Sequence, residues 1–241
     1  MNIGVIPARL GSTRFPGKIL ASLAGKPMVM HVYERAKQAA RLDDVLIAVD
    51  DDQVKTILKR FGANVVMTSA DHESGTDRVA EAVAGIEADI VVNIQADEPM
   101  LEPAVIDALI AVFDDKNVNM ATVVSRDLST RDILNPNIVK VFLDHRMHAV
   151  DFMREMPDNI IGGCYRHIGI YAFRKDFLIQ FTKLKPSESE MRHHLEQLRA
   201  LDNGLLVHAI LTDYVICGVD TPEDLDEVAG ILDKLELSVT G

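Results

Sequence analysis

Three cationic side chains lie close together near the start of the chain, in the segment VIPARLGSTRFPGK from Val5 to Lys18. Arg9, Arg14 and Lys18 are spaced by small and turn-forming residues, although the net charge at pH 7 is -12. Arg can bind phosphate oxygens through two parallel hydrogen bonds, and Lys can act as a point charge. The segment contains neither the Walker A pattern nor the Rossmann glycine fingerprint. We predict a pocket for a strongly anionic group such as a triphosphate; the alternative is a surface loop whose cations pair with the acidic excess.

Two acidic side chains follow apolar runs further along the chain. Asp97, in NIQADEP, comes just past the run DIVVNI, and Asp220, in GVDTPEDL, comes just before a predicted helix. Carboxylates at such positions suit Mg²⁺, which binds one or two carboxylates together with phosphate oxygens and water. Thr221 is expected to cap the helix, with Pro222 in its first turn, which leaves Asp220 for another role. For Asp97, helix capping is the alternative to metal binding.

The acidic run from Asp50 to Asp52 also follows an apolar run, VLIAVD. It could imitate the DxD metal motif of sugar-nucleotide glycosyltransferases. We favour the simpler interpretation, in which these residues begin the next helix, because acidic side chains are stabilised near the positive end of a helix dipole.

A polar segment, ESGTDR from Glu73 to Arg78, is predicted to open a helix. Ser74, Gly75 and Thr76 offer amide and hydroxyl groups to a bound molecule, and Arg78 could bind a carboxylate. The alternative is an ordinary helix start with a solvent-exposed arginine.

Another candidate group lies in the second half of the chain. The run RHIGIYAF alternates, so a strand would place His167 and Tyr171 on one face. A histidine on such a face is more often packed in the core than used as a ligand. Glu196 lies one turn from Arg192 and Arg199, so a helix-surface salt bridge is the alternative to a binding role for it.

The elements that must position these side chains alternate between strands and helices through the first half of the chain. Short β-branched runs such as 45–50 and 89–94 are typical of buried parallel strands, and helical periodicity separates them. The pattern predicts an α/β fold with a doubly wound, mostly parallel sheet flanked by helices. In such sheets ligands bind beyond the carboxyl ends of the strands, which is where the loops 9–18 and 95–99 fall.

The middle of the chain has strand-like runs with no long helix between them. We predict a small antiparallel β-rich insertion lobe from about residue 120 to 175, within a single domain of residues 1–241. A helix is predicted over KPSESEMRHHLEQLRAL, with Leu195, Leu198 and Leu201 facing inward. Late strands are predicted over LLVHAIL and VICGVD.

The composition excludes several classes of protein. The 241 residues are 48% apolar and 26% charged, which is ordinary for a globular protein. A nucleic-acid polymer needs a basic footprint, which 37 acidic against 25 basic side chains do not provide. No apolar run is long enough to span a bilayer, and we expect no signal peptide, because the first residues carry no basic region before their short apolar run. Cys164 and Cys217 fit no metal or disulfide spacing, so we expect reduced thiols and a cytoplasmic location.

Taken in order, these motifs resemble the Kdo cytidylyltransferases, a family of sugar-acid cytidylyltransferases, where Kdo is 3-deoxy-manno-octulosonate. The matching segments run from Ile6 to Leu225 and include IPARLGSTRFPGKIL, AGKPM, ADHESGTDR, NIQADEPM, NPNIVKV, RHIGIYAFR, LEQLR and GVDTPEDL. The resemblance implies a nucleotidyltransferase α/β fold, Rossmann-like and similar to that of GT-A glycosyltransferases. It also implies a homodimer joined through the β-rich lobe.

The resemblance further implies that CTP and a Kdo-type sugar acid react to give a CMP-sugar and pyrophosphate, for lipopolysaccharide synthesis. The anomeric 2-hydroxyl would attack the α-phosphate in line, a step that needs mainly positioning and charge neutralisation. Among the matched residues, Arg9, Arg14 and Lys18 would hold the triphosphate.

The other implied roles divide between the metal, the nucleotide and the sugar. Asp97 and Asp220 would hold Mg²⁺ and, with Arg9 and Lys18, form the catalytic group. Ser12, Ser74 and Gly75 would help to seat the nucleotide. The family's sugar-acid contacts match Arg78, Gln95, His167, Tyr171 and Glu196, with Arg78 as the candidate partner of the sugar carboxylate.

Four features depart from the family's pattern, and all of them are expected on the sugar side. Ala96 stands where Gly is usual, Met153 where Ser is more usual, and His193 where an acidic residue is common. The segment between Arg154 and Arg166 is shorter than in the family. A modified acceptor, 8-amino-3,8-dideoxy-Kdo, is therefore an alternative substrate, and a sialic-acid-type substrate is disfavoured because the matched motifs are of the Kdo kind.

Two other classes of protein remain as alternatives. A GT-A-type glycosyltransferase that uses Asp50 to Asp52 for Mn²⁺ would release no pyrophosphate. A non-catalytic nucleotide-binding protein would bind without turnover. The second alternative predicts the loss of a phosphate-binding cation or a metal carboxylate, whereas the sequence retains all five that the resemblance implies.

Overall fold

The computed structural model describes residues 1–11, 15–156, 163–214 and 217–239, with side chains described up to residue 234. The chain forms two compact units. The first comprises Met1–Ala88, Asn93–Asp107 and Ile216–Gly241, and the second comprises Asp89–Val92 and Ala108–Val215. The segment predicted as a β-rich lobe falls within the second unit.

The strands of the described residues are, in chain order, β1 (Asn2–Ala8), β2 (Ser22–Leu23), β3 (Lys26–Pro27), β4 (Asp44–Val49), β5 (Val65–Met67), β6 (Ile90–Asn93), β7 (Met120–Ser125), β8 (Lys140–Leu143), β9 (Ala149–Met153), β10 (Cys164–Arg174) and β11 (His208–Thr212). The helices are α1 (Met28–Ala36), α2 (Asp52–Arg60), α3 (Gly75–Ala82), α4 (Pro103–Ala111), α5 (Thr130–Ile133), α6 (Lys175–Phe181), α7 (Glu188–His193), α8 (Leu198–Asp202) and α9 (Pro222–Val239). Short 3₁₀ turns span Lys18–Leu20 and Val112–Asp114.

Parallel pairing organises the strands of the first unit. β1 pairs with β4 from Ile3 opposite Asp44 to Ala8 opposite Val49, and β4 in turn pairs with β5. The strands are rich in β-branched and aliphatic residues, which pack well when both faces of a sheet are covered. Val5 and Ile47 are fully buried, so the core of this unit lies along β1 and β4.

The second unit is mostly antiparallel, as the alternating sequence predicts. β10 lies antiparallel to β7 and to β8, and β8 lies antiparallel to β9. β11 adds to the other side of β7 in parallel. The register of β10 against β7 shifts between Ile168 and Tyr171, which marks a bulge beside the predicted site residues of this strand. The mixed α/β fold, with its mostly parallel central sheet flanked by helices, is confirmed.

Helix starts follow the predicted local chemistry. The Asp51 carboxylate caps α2 by accepting hydrogen bonds from the N–H groups of Gln53 and Val54. Thr221 precedes α9, and its Oγ1 accepts a hydrogen bond from the Asp224 N–H at 3.3 Å. The helix-start interpretation of the acidic run is thus confirmed for Asp51 and Asp52, the first residue of α2.

The helix predicted over KPSESEMRHHLEQLRAL is wrong as a single element. The chain forms α7 and α8 instead, because His194 adopts a left-handed backbone with φ 52° that ends α7. Leu195 and Leu198 are buried as predicted, whereas Leu201 is only partly buried. The sequence contains no Gly or Pro at this break, which is why periodicity alone suggested one helix.

The strand predicted over VICGVD is wrong in its described part, because Cys217–Asp220 form no strand. The Val219 N–H donates to the Asp97 backbone oxygen at 2.8 Å instead of pairing with a neighbouring strand. This local change shapes the candidate site.

No helix in the described part of the chain combines the length and apolar character that crossing a membrane requires.

Candidate active site

A cleft of about 340 Å³ in the first unit brings together most of the charged residues predicted from sequence. Its volume lies at the lower end of the range of small-molecule sites. Residues of that prediction that line the cleft are Arg9, Lys18, Ser74, Gly75, Arg78, Gln95, Asp97 and Asp220. Ser12 and Arg14 lie outside the described residues, so their roles stay predictions.

Lys18 joins the two predicted metal carboxylates within this cleft. Its Nζ donates to Asp97 Oδ2 at 2.7 Å, to Asp220 Oδ1 at 3.1 Å and to the backbone oxygen of Val219 at 2.8 Å. The Lys18 side chain is only 12% exposed. Burial acts to lower the pKa of Lys18, but the charges and hydrogen bonds of Asp97 and Asp220 outweigh it and raise the pKa above its ordinary value. The ammonium therefore stays charged at neutral pH.

The loop around Lys18 is shaped by a glycine. Gly17 has φ 71°, in the left-handed region that residues with a side chain rarely adopt, and its N–H donates to the Leu10 backbone oxygen at 3.3 Å. The chain then enters the 3₁₀ turn that begins at Lys18. This bond holds Gly17, the residue before Lys18, next to Leu10, just past the end of β1.

The two loops that bear the carboxylates are fastened to each other. The Val219–Asp97 backbone bond links them directly, and a Cβ on Gly218 would lie only 3.2 Å from Glu98 Oε1. Because the loops are joined by backbone, Asp97 and Asp220 are held near one another even though 123 positions separate them in the chain (220 − 97).

Asp224 supports the Asp220 loop from the first turn of α9. Its Oδ2 accepts hydrogen bonds from the backbone N–H groups of Asp220 at 2.9 Å and Thr221 at 2.8 Å. Burial acts to raise the pKa of Asp224, but these backbone bonds help to lower it below its ordinary value. An ionised carboxylate at a helix start also interacts favourably with the helix dipole.

Two carboxylate oxygens that converge on one ammonium form a donor set suitable for a hard cation. Among the described residues, no group of three or more His, Cys, Asp or Glu side chains forms a complete metal site. Two carboxylates are sufficient for Mg²⁺, which usually takes its remaining oxygens from phosphates and water. Asp97 and Asp220 therefore fit the predicted metal, and Lys18 shows that their oxygens already face a common cation.

The start of α3 forms another part of the cleft lining. Ser74 Oγ caps the helix by accepting a hydrogen bond from the Asp77 N–H at 3.0 Å, so the capping interpretation is confirmed. Ser74 also lines the cleft, and its contact with a nucleotide stays a prediction. A Cβ on Gly75 would lie 3.4 Å from Pro7 Cγ. The backbone of α3 thus packs closely on the end of β1.

Arg78 is not the solvent-exposed arginine of the alternative interpretation. Its side chain is 3% exposed, and its guanidinium donates to Thr68 Oγ1 and to Asp50 Oδ2, both at 2.7 Å. Asp50, the first residue of the acidic run, therefore pairs with Arg78. A contact of Arg78 with a sugar carboxylate stays a prediction, and it must use donors other than these two.

Four residues of the cleft were missed by the sequence reasoning: Pro7, Ile19, His72 and Glu73. His72 contacts the Glu81 carboxylate, which also accepts a hydrogen bond from the Ser69 N–H. The sequence offered one clue to two of these residues, because His72 and Glu73 directly precede Ser74 in the chain. Ala96, singled out in the sequence as a departure, also lines the cleft and is 8% exposed.

The remaining predicted sugar contacts belong to the second unit. His167 Nε2 lies 2.9 Å from Thr122 Oγ1, and the His167 ring lies 5.1 Å from that of Phe152 and 5.4 Å from that of Tyr171. Burial lowers the pKa of His167 to about 3. Burial, together with the negative charge of Glu196, raises the pKa of Tyr171 well above its ordinary value. Both side chains are therefore neutral at physiological pH.

Glu196 forms the salt bridge with Arg199 that its alternative interpretation predicts, although Arg199 is buried and not at a helix surface. Its Oε1 is 4.0 Å from Arg199 Nη2, whereas Arg199 bonds more closely to Glu190, with Nε to Oε2 at 2.8 Å. The role of Glu196 in sugar binding stays a prediction.

Comparison with known proteins gives concordant matches along the chain. A family model described as Cytidylyltransferase matches residues 3–210. A protein of Geobacter metallireducens named 3-deoxy-manno-octulosonate cytidylyltransferase is 45% identical, covering 97% of this chain and 98% of its own. A protein of the same name from Geobacter sulfurreducens is 46% identical over 98% of this chain and 100% of its own.

A solved structure shows the same likeness in three dimensions. It is the structure of a CMP:2-keto-3-deoxy-manno-octonic acid synthetase complexed with CTP. The two chains superpose with a TM-score of 0.90 at 39% sequence identity, covering 97% of this chain and 98% of the other.

Proposed function

Because the chain belongs to the Kdo cytidylyltransferase family, we propose that it transfers CMP from CTP to the anomeric 2-hydroxyl of Kdo, with release of pyrophosphate. The names of its relatives and the CTP complex of a similar synthetase support this reaction. The product would serve lipopolysaccharide synthesis.

The observation that supports the reaction best is the Lys18–Asp97–Asp220 group. A buried, charged ammonium and two converging carboxylates form a charge pattern suited to a triphosphate with its cation. Mg²⁺ bound to the two carboxylates would neutralise phosphate charge and favour attack on the α-phosphate.

The chain's own residues position the reacting groups and stabilise the charge that develops. Lys18 would donate from Nζ to phosphate oxygens, and Arg9 would add a second cation from the loop after β1. Such preorganised donors are most effective where water is partly excluded, as it is around the largely buried Lys18. Arg14 and Ser12 complete the proposed phosphate loop.

The residues that the family resemblance assigns to the sugar acid are described for each unit by itself. Arg78 and Gln95 lie in the cleft, whereas His167, Tyr171 and Glu196 belong to the second unit. A neutral imidazole and a neutral phenol can each donate or accept a hydrogen bond, which suits the hydroxyl groups of a sugar.

We keep 8-amino-3,8-dideoxy-Kdo as a second candidate substrate because Ala96, a departure from the family's pattern, lines the cleft. Ala96 lines the cleft together with Gln95 and Asp97 and is largely buried. A methyl where the family usually has none reduces the room for the sugar or shifts the loop. The two acceptors differ at one substituent, so they can be compared directly.

The decisive experiment measures pyrophosphate release with CTP and Mg²⁺, using Kdo and its 8-amino analogue at equal concentration. We expect release with one of them, and the ratio of the two kcat/KM values identifies the preferred acceptor. UTP in place of CTP serves as the nucleotide control. Pyrophosphate release with neither sugar acid would contradict the proposed function.

A cytoplasmic location and a homodimer joined through the β-rich segment are part of the proposal. Val150, in β9 of this segment, is an apolar side chain that is 57% exposed, and we choose it as the position at which to test the contact. Light scattering on the whole chain, compared with a Val150→Glu variant, tests the dimer. A monomeric wild-type protein would contradict it.

A further inference from the structure

Two histidines of the second unit face each other across neighbouring backbone segments. His148, just before β9, forms an antiparallel bridge with His208, the first residue of β11. The Ala149 N–H donates to the Val207 oxygen at 2.9 Å, and the Ala209 N–H donates to the Met147 oxygen at 2.7 Å. These bonds flank the pair, so the histidines occupy a non-hydrogen-bonded position, where opposite side chains come closest.

The ring geometry is close to that of a two-histidine chelate. The ring centroids of His148 and His208 are 5.7 Å apart, and the ring planes are inclined by 72°. With zinc-to-nitrogen bonds of about 2.0–2.1 Å, a zinc ion lies roughly 3 Å from each ring centroid, so tetrahedral coordination separates the centroids by about 5 Å. Small side-chain rotations would close this difference.

Asp144 fixes the His148 side of the pair. Its Oδ2 lies 3.4 Å from His148 Nδ1, and its Oδ1 accepts hydrogen bonds from the backbone N–H groups of Arg146 and His148, both at 2.8 Å. The turn before His148 is therefore held by one carboxylate. A carboxylate on one ring nitrogen leaves the other nitrogen, Nε2, to bind a metal, which is the usual outer-sphere arrangement of metal-binding histidines.

The charges around the pair also suit a divalent cation. Burial lowers the pKa of His208, and the nearby His148 lowers it further by a smaller amount. The lowered pKa favours the neutral imidazole, which can bind a metal. Hydrogen bonds from the backbones of His148 and Arg146 lower the pKa of Asp144. The negative charges of Asp115 and Asp144 both act on His208. Two carboxylates thus offset part of the charge of an ion held between the rings.

We propose that His148 and His208 chelate a divalent transition-metal ion such as Zn²⁺ through one ring nitrogen each. Imidazole nitrogens suit Zn²⁺, Ni²⁺ and Cu²⁺, whereas Mg²⁺ prefers oxygen, so this site is chemically distinct from the Asp97–Asp220 pair. In the described residues no third His, Cys, Asp or Glu completes the group, so water fills the remaining positions and the ion exchanges readily. The ion fastens the turn at 144–148 to the start of β11.

The test is an isothermal titration calorimetry experiment in which Zn²⁺ is added to the untagged, full-length protein at pH 7.5 in a buffer without phosphate. Excess Mg²⁺ is present to occupy the carboxylates of the cleft. We expect one saturable site per chain, weakened at least about tenfold in each of His148→Gln and His208→Gln, and also in Asp144→Asn. The matched control is His145→Gln, which removes an exposed histidine of the same turn and leaves binding unchanged.

A second measurement uses the wild-type protein alone and so does not depend on the folding of a variant. Substoichiometric Co²⁺ should broaden the imidazole NMR signals of His148 and His208 before those of the other histidines. The proposal is overturned if Zn²⁺ shows no saturable binding at submillimolar concentration. It is equally overturned if both single-histidine variants bind as wild type does, which would place the ion elsewhere, for example on the cysteines.

Discussion

The cleft of the first unit and the ring cluster of the second unit hold their titratable groups in different ways. In the cleft, Lys18 is held by Asp97 and Asp220, and its pKa is raised so that it stays charged. In the second unit, His167 and Tyr171 pack against each other and against Phe152 or Phe173, and both stay neutral.

The difference shows how one chain can provide side chains suited to binding two kinds of chemical group. Charged groups fixed by opposite charges can neutralise a polyphosphate. Neutral polar rings in a desolvated environment attract ions weakly but can hydrogen-bond to hydroxyl groups. The contrast predicts that substitutions of Asp97 and Lys18 act on turnover through charge, whereas substitution of His167 acts on the pH dependence of stability.

The largest effect is expected for Asp97→Asn. The amide keeps the size of the side chain but binds Mg²⁺ poorly, so turnover should fall by about 10²-fold or more while the fold is retained. Pyrophosphate release and the thermal midpoint of unfolding measure the two properties. Asp52→Asn, at the exposed start of α2, is the matched control. Turnover near that of wild type in Asp97→Asn would contradict the metal assignment.

Lys18→Gln should also lower turnover by about 10²-fold, because it removes a preorganised cation. The variant leaves the Asp97 and Asp220 carboxylates without the ammonium between them, so Mg²⁺ alone should raise its thermal midpoint more than that of wild type. Differential scanning fluorimetry with and without Mg²⁺ measures this. Lys26→Gln, in an ion pair with Glu34, serves as the control. An equal Mg²⁺ effect in Lys18→Gln and wild type would show that the two cations do not share these carboxylates.

Asp50→Asn should lower the free energy of unfolding by about 3 kcal/mol, because it leaves the buried guanidinium of Arg78 without its charge partner. Urea unfolding measures the change, with Asp52→Asn as the control at a neighbouring position. If Arg78 also binds the sugar carboxylate, KM for the sugar acid should rise more than KM for CTP. A loss of less than 1 kcal/mol would mean that the Asp50–Arg78 pair is energetically marginal.

The smallest effect is expected from the pH dependence of His167. Its folded-state pKa of about 3 lies below the ordinary value of 6.5, so the unfolded chain binds the proton more readily. The contribution of the neutral His167 side chain to stability is therefore fully present above pH 6.5, and it is lost as the pH is lowered toward 3. When the pH is lowered from 7.5 to 5.0, the free energy of unfolding of the wild type should fall by up to about 2 kcal/mol more than that of His167→Asn. Urea unfolding at both pH values tests this, and identical losses would contradict a buried neutral His167.

Local features of the fold were predictable because they depend on neighbouring residues. The caps at Asp51 and Thr221, the buried strands and the alternation of β10 follow from side-chain type and spacing. The same reasoning placed Lys18 and Asp97 at strand ends and so anticipated the cleft. It failed at His194, where a left-handed residue other than glycine ends α7.

The sequence by itself determined which charges are available and which strand ends bear them, because these properties are local. The tertiary structure decided which charges meet. Only the folded chain pairs Arg78 with Asp50, brings His72 into the cleft and joins Asp97 to Val219 by a backbone hydrogen bond. Such contacts link residues far apart in the chain, and their geometry depends on packing and desolvation that no spacing of residues encodes.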